Sequence, residues 1–498
     1  MRPLLVICLS ACTLVDPGEE TQATSCNGRH QDCVAPTAAI TSPLAGATVS
    51  GTITISATAS DNVGVTRVEL LVDGALVATD TSAPYAASWN TTTRANGSHS
   101  ISAKAYDAAG NVGTSASVVV TISNAATAVA TTLFGMHLQN QTYPTVSIGA
   151  LGKAASVGWC YVERTRGTYS WAVLDSWVDF AATHGVSFFY SNYCVPQWAA
   201  KPGATCECLN SSAGCTVTRC AGGVATLQDW RDFVAAMVNH YKNRATGQIH
   251  IWELWNEPFL EDTSTLFGMS AADFVPLANA AHDVIRANDP TATIIGPSGH
   301  STDYDTYWGA GMTKDLDVVS FHGYPTASTP TAESLVSLRM TAIKNVMAKY
   351  GVSRPIWDTE GSWGTTSLTL DQQIGFVARF LLLHWANGVS RAYWYAWDNA
   401  SWGHLQGTAA ATAYQQTYNW MVGATMPSGC SVGGSVYSCS LTRAGGYQGL
   451  AVWNTSGSSS YTPASTYIHY RDLAGVVHAV AAGTPITIGI KPVLLENQ

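Results

Sequence analysis

Gln248-Ile249-His250-Ile251-Trp252-Glu253-Leu254-Trp255-Asn256-Glu257-Pro258 decides the fold. Ile249–Trp255 is aliphatic and aromatic, as a strand is. Asn256-Glu257-Pro258 ends it, because proline has no N–H for a ladder. The helix-patterned stretch Leu227–Lys242 precedes this strand and another, Ala271–Asn288, follows it. Strands entered and left through helices mark a parallel sheet with crossover connections. The same alternation runs over residues 131–425. Strand patterns lie at Leu133–Leu138, Val186–Ser191, Thr293–Gly296, Val318–Phe321, Pro355–Thr359 and Arg391–Tyr395, with one more required between Ser147 and Val162. Helical patterns cover Val173–His184, Ala332–Tyr350 and Asp371–Asn387. Eight β/α units in roughly 290 residues predict a (β/α)8 barrel. A doubly wound open sheet is the alternative, but no Gly-rich phosphate loop follows the first strand.

Barrel enzymes place their chemistry at the C-terminal ends of the strands. Two of the expected strands end in glutamate: the fourth at Glu257, and the seventh in Trp357-Asp358-Thr359-Glu360-Gly361. Two carboxyl groups facing one cleft are what glycosidic cleavage needs. One protonates the leaving oxygen, and the other attacks the anomeric carbon or activates water. Asp358 is the competitor for the second role, though its place in the motif differs.

Trp255-Asn256-Glu257-Pro258 resembles the acid/base motif of clan A glycoside hydrolases. Phe134-Gly135-Met136-His137, Gly167-Thr168-Tyr169-Ser170-Trp171 with Leu174-Asp175, Pro196-Gln197-Trp198-Ala199 and Phe321-His322-Gly323-Tyr324 look closest to family 39 and its relatives. The resemblance implies a retaining mechanism with Glu257 as acid/base, Glu360 as nucleophile and Asn256 on the sugar 2-hydroxyl. It places His322 or Tyr324 against the nucleophile or the sugar. Relatives carry an Arg and an Asp at or just after strand two, where this chain has Gly152 and Ala155; Lys153 or Arg164 would have to compensate. Indole faces stack on sugars, so Trp363, Trp394, Trp397 and Trp402, clustered after strands seven and eight, are candidates, with Trp394 or Trp397 expected at the cleft and at least one other in the core. His137 and Trp198, which follow strands one and three, are further substrate-binding candidates.

The flanks read differently. Residues 1–12 are expected to be an export signal: Arg2, an apolar Leu4–Leu9, and Leu9-Ser10-Ala11-Cys12, a lipobox in which Cys12 would carry lipid and anchor the chain to a membrane. Residues 13–35 form a polar tether. Residues 36–125 hold short strand patterns and the hairpin signal Asp73-Gly74, expected as an Ig-like sandwich serving as a spacer. Asp61, Asn62 and Asp107 would suit calcium but are equally ordinary turn residues, and no metal or other cofactor is expected. After Pro427 the helical patterns stop, and residues 428–498 form a small β domain.

Composition bounds the partners. Charged residues make up 11% and the net charge is −9, with no Lys/Arg run, which excludes a basic nucleic-acid surface. Of 12 cysteines, Cys8 and Cys12 fall in the leader, leaving an even set, as disulfides in an oxidising compartment require. Cys26/Cys33 and Cys430/Cys439 read as local pairs; Cys206, Cys208, Cys215 and Cys220 crowd one loop, where zinc is the rival reading. The expectation is an exported monomer cutting β-linked polysaccharide from within. An exo-acting β-xylosidase or β-glucosidase is the runner-up, and a catalytically silent glycan-binding surface protein is the alternative of another class.

Overall fold

The computed structural model describes residues 32–49, 52–94, 97–122, 127–152, 156–209, 215–220, 222–258 and 268–498. The expected leader and lipobox, most of the tether, Cys26, Lys153 and Ala155 lie outside them. The chain divides into two compact units, Met1–Asn124 and Ala125–Gln498.

The first unit has two sheets. Thr37–Ser42, Thr52–Ser60 and Tyr85–Asn90 form one; Thr48–Val49, Val118–Ile122, Gly97–Asp107, Val65–Val72 and Ala75–Asp80 form the other, with Val112–Thr114 on its side. Alternate residues of Gly97–Asp107 point inward, so Ile101, Ala103 and Ala105 share a core with Trp89, Tyr85, Ile55 and Leu70. Asp73 and Gly74 take φ values of 51° and 77°, the left-handed pair that a two-residue hairpin demands.

In the second unit, eight parallel strands pair in chain order. The first, Phe134–Met136, pairs with the second, Ala150–Leu151, and the second with the third, Ser187–Phe188, which continues as Tyr190–Ser191. The fourth, Ile251–Glu253, joins the third to the fifth, Thr293–Ile295. A bridge from Ile295 to Val318 leads to the sixth, Val319–Gly323, then the seventh, Ile356–Gly361, and the eighth, Val389–Trp394, which pairs back onto the first. The ring therefore closes, as a (β/α)8 barrel requires. Ala150, Phe189, Ile295, Val318, Trp357 and Tyr393 form one core inside it. Gly135 is glycine because a Cβ there would meet the Tyr393 ring at 2.4 Å. Helices follow the later strands, among them Leu227–Tyr241, Ala271–Asn288, Leu370–Ala386 and Ala409–Met421. Among the described residues no helix separates the first barrel strand from the second, so the first β/α repeat of the barrel departs from the expected strand-plus-helix pattern.

The terminal β segment packs as part of the barrel unit. Six antiparallel strands, from Ser431–Gly433 to Val493–Glu496, make its main sheet. Its Trp453 indole donates to Glu333 Oε1 (2.8 Å), and Arg379 of helix Leu370–Ala386 pairs with Glu333 Oε2 (2.9 Å). Disulfides join Cys160–Cys194, Cys206–Cys220, Cys208–Cys215 and Cys430–Cys439, so the crowded loop uses its cysteines as cross-links. No helix among the described residues is long and apolar enough to cross a membrane.

Candidate active site

The C-terminal ends of parallel strands open on one side of the ring, which puts the residues after strands four, six and seven around one mouth. After strand four, the Asn256 N–H donates to Asn192 O (2.8 Å) and the Glu257 N–H to Ser298 O (3.0 Å). The turn is thus tied to the ends of strands three and five. Glu257 itself has φ 46°, a left-handed conformation that costs a side-chain-bearing residue about 1–2 kcal/mol. Strand seven reaches the mouth differently. Phe321 pairs with Asp358, but His322 pairs with Glu360, so Thr359 is an extra residue and the strand bulges.

Strand six places its side chains between the two glutamates. His322 Nδ1 shares a hydrogen bond with Glu257 Oε1 at 2.5 Å, and its Nε2 lies 4.0 Å from Glu360 Oε2. The Tyr324 hydroxyl donates to Glu360 Oε1 at 2.7 Å. Burial and the Glu360 charge push the Tyr324 phenol far above its ordinary range, so it remains a donor. One ligand atom each from Glu257, His322 and Glu360 lies within 4.8 Å of the others. Retaining glycosidases hold their two carboxyl groups roughly 5–5.5 Å apart, and an approach of single ligand atoms this close is compatible with that spacing. The three atoms are close enough to hold a cation, although two-carboxylate chemistry is complete without one. Asp32, Asp61 and Asp107 form a second such cluster in the N-terminal unit, where Asp61 and Asp107 also accept turn N–H groups from Val63, Gly64 and Asn111.

Other candidates fall elsewhere. Trp363, Trp394 and Trp397 are 5%, 0% and 1% exposed, which corrects their reading as sugar platforms. Trp394 donates to Gly403 O and packs edge-on against Trp363 and Phe380, so its faces are taken by the core. Trp402, 36% exposed, is an open aromatic surface at this end, beside Tyr324 and the half-buried Tyr395. His137 is fully buried and donates from Nε2 to Thr359 O (2.7 Å), which closes it off from substrate. Trp198 donates to Glu163 O and packs edge-on against Trp159, within the loops after strands two and three. Gly152 is required here, because a Cβ would meet the His137 ring at 2.2 Å, while Arg164 lies exposed.

Three residues escaped the sequence reading. Asp398 accepts N–H groups of Gln139 and Asn140, binding the loop after strand one to the loop after strand eight. Asp303, after strand five, has its carboxyl pushed up by burial, with the Glu257 charge adding to the effect. Arg339 lies in a π-helical turn, Val336–Thr341; burial pulls its guanidinium down against the charges of Asp358, Asp303 and Glu257. Each resembles a solvated helix or loop charge in sequence, and no local signal marks it.

Comparison with known proteins finds matches for both units. Residues 36–103 match the family model of the bacterial Ig domain. Residues 217–400 match cellulase (glycosyl hydrolase family 5), a span holding both Glu257 and Glu360, and residues 116–295 match glycosyl hydrolase family 10. Among solved structures, the GH51 α-L-arabinofuranosidase of Thermotoga petrophila superposes with TM-score 0.50 at 12% identity, over 75% of this chain and 98% of that one. The GH30 xylanase C catalytic domain of Talaromyces cellulolyticus gives TM-score 0.47 at 14% identity, over 75% and 98%. Fibronectin(III)-like modules of Clostridium thermocellum CbhA share 36% identity over 18% of this chain and 48% of theirs, about half their length, with TM-score 0.17. No curated protein matches the sequence. The matched catalytic families are 5 and 10, both of clan A. With two glycosyl hydrolase models laid over the barrel residues, the chain is a retaining glycosyl hydrolase.

Proposed function

We propose that the chain is an exported, endo-acting hydrolase of β-linked polysaccharide, with Glu257 as acid/base and Glu360 as nucleophile. The observation that carries this reading is the approach of the Glu257, His322 and Glu360 ligand atoms to within 4.8 Å. In the first step a Glu360 oxygen bonds to the anomeric carbon as the bond to the leaving oxygen breaks, and Glu257 gives that oxygen its proton. In the second, Glu257 takes a proton from water, the water oxygen attacks the anomeric carbon, and the ester to Glu360 breaks. His322 steadies Glu257 through both changes of protonation, and Tyr324 holds one Glu360 oxygen so that the other faces the sugar. Asn256 binds the 2-hydroxyl. Trp402 and Tyr395 supply the stacking surface that Trp394 and Trp397 were expected to give. The family 39 motifs, the 1–12 leader, lipid on Cys12 and a spacer role for the Ig-like unit complete the proposal. The four disulfides among the described residues support an oxidising compartment.

The test is a product profile on β-glucans, xylans, mannans, galactans and bacterial exopolysaccharides, with Glu360→Ala as blank. An oligosaccharide ladder missing from the blank is expected. Monosaccharide alone would reassign the enzyme as exo-acting, and no release from any glycan would contradict catalysis.

A further inference from the structure

Asp358 and Glu360 stand two residues apart on one strand, and in a regular strand both side chains would point the same way. They do not serve the same surroundings. Asp358 is fully buried against helix Leu370–Ala386, whereas Glu360 joins His322 and Tyr324 at the mouth. The bulge at Thr359 separates them.

What holds that bulge is visible atom by atom. Asp358 Oδ1 accepts the N–H groups of Gly323 (3.0 Å) and Glu360 (3.2 Å), which joins the ends of strands six and seven and fixes the nucleophile's own backbone. Asp358 Oδ2 bonds His384 Nε2 at 2.7 Å, with both side chains 0% exposed. His384 Nδ1 donates to Phe380 O (2.6 Å), and its ring lies 3.8 Å from that of Phe380, so the imidazole is fixed to its helix. The carbonyl of the extra residue, Thr359, is held from the other side by His137. The neighbouring backbone leaves room for the carboxylate: a Cβ at Gly323 or Gly361 would meet Asp358 Oδ2 at 1.9 or 2.5 Å.

We infer that the buried Asp358–His384 pair is a positioning device for the nucleophile, locking the Thr359 bulge so that Glu360 points into the cleft. This rests on the hydrolase reading for its consequence, but its geometry is independent of any substrate. Replacing the Asp358 carboxylate by a methyl group leaves two strand-end N–H groups and His384 Nε2 without their partner. An asparagine can still accept both N–H groups with its oxygen while its amide faces His384.

The experiment compares Asp358→Ala and Asp358→Asn in the full chain by crystal structure, thermal melt and steady-state kinetics on whichever glycan the wild type cleaves. In Asp358→Ala the Tyr324–Glu360 hydrogen bond is expected to be lost. The kcat should fall on the order of 10²-fold, as a misplacement of about 1 Å produces, with KM within about threefold. Asp358→Asn should keep the bond and hold kcat within about tenfold of wild type. If Asp358→Ala does not fold, His384→Phe, which preserves the ring stack on Phe380, takes its place; a shifted Glu360 and reduced kcat at unchanged KM are expected. An unmoved Glu360 with wild-type kcat in the variant that folds, or equal losses in Asn and Ala, would overturn the inference. A wild type that cleaves nothing would overturn the hydrolase reading instead, and the crystal structures would still decide the positioning role.

Discussion

Glu257 and Glu360 are the same residue type at equivalent places, the outlet of a barrel strand, yet their surroundings diverge. Glu257 sits on a turn with a left-handed backbone, keeps 21% of its side chain exposed and bonds a histidine. Glu360 follows a bulge inside a continuing strand, keeps 10% exposed and accepts from a tyrosine that stays protonated. The difference suits the two duties proposed for them. An acid/base must exchange protons with leaving group and water, which solvent access and a titratable partner favour. A nucleophile must stay ionised and aimed, which a fixed donor and a rigid backbone favour.

Exchanging the roles is the largest way to break this comparison. Glu360→Ala should lower kcat on the order of 10⁴-fold or more whatever the leaving group. Glu257→Ala should lower kcat/KM about 10²–10⁴-fold with a sugar leaving group, and far less with an activated aryl one that needs no proton, while kcat on the aryl substrate still falls because water attack loses its base. Aryl and sugar substrates compared in both variants check this; a Glu360→Ala loss that depends on the leaving group would exchange the assignments.

Partners come next. Tyr324→Phe removes a hydrogen bond to a charged group worth about 1.5–3 kcal/mol, so kcat should drop roughly 10–100-fold at near-constant KM. Kinetics of His322→Asn should show the greater change in the pH profile, because His322 faces the residue proposed to cycle its proton. A Tyr324→Phe enzyme with wild-type kcat would remove the tyrosine from the nucleophile's support.

Two tryptophans separate cleft from core. Trp394→Ala should destabilise the fold by about 3–5 kcal/mol in denaturant melts. Trp402→Ala should leave stability nearly unchanged and raise KM roughly fivefold, the worth of about 1 kcal/mol of stacking. A Trp402→Ala KM equal to wild type would place the sugar elsewhere.

The smallest effect concerns Asp303, whose carboxyl burial pushes up in the folded chain. The folded state then binds that proton more tightly than the unfolded one. Its contribution to stability is therefore full below the unfolded pKa and lost as pH rises through the folded value. Asp303→Asn should gain melting temperature on wild type as pH goes from about 4 to about 7; a constant difference would show that the group does not titrate this way.

The glutamate pair was legible because it depends on local pattern: a strand, then Asn-Glu-Pro, and a second strand ending in glutamate. The alternation of strand and helix likewise revealed the barrel without tertiary information. The second strand, Ala150–Leu151, is two residues long and could be placed only by counting. The tryptophans were misassigned because exposure depends on what helix Leu370–Ala386 presses against strand eight, a contact between elements that no local pattern records. The bulge was hidden for a related reason: its extra residue appears only when strands six and seven are paired. His137 and Gly152, read as a substrate contact and a missing arginine, prove to be one packing solution, a buried ring occupying the space a side chain would need.

Trapping the covalent intermediate decides which carboxylate is the nucleophile. Wild-type enzyme would be incubated with an activated 2-deoxy-2-fluoro glycoside of the sugar it releases, digested, and mapped by mass spectrometry. One glycosyl adduct is expected, located by fragmentation on Glu360 itself and formed more slowly in Tyr324→Phe. Turnover without an adduct, or an adduct on Asp358 or Glu257, would contradict it.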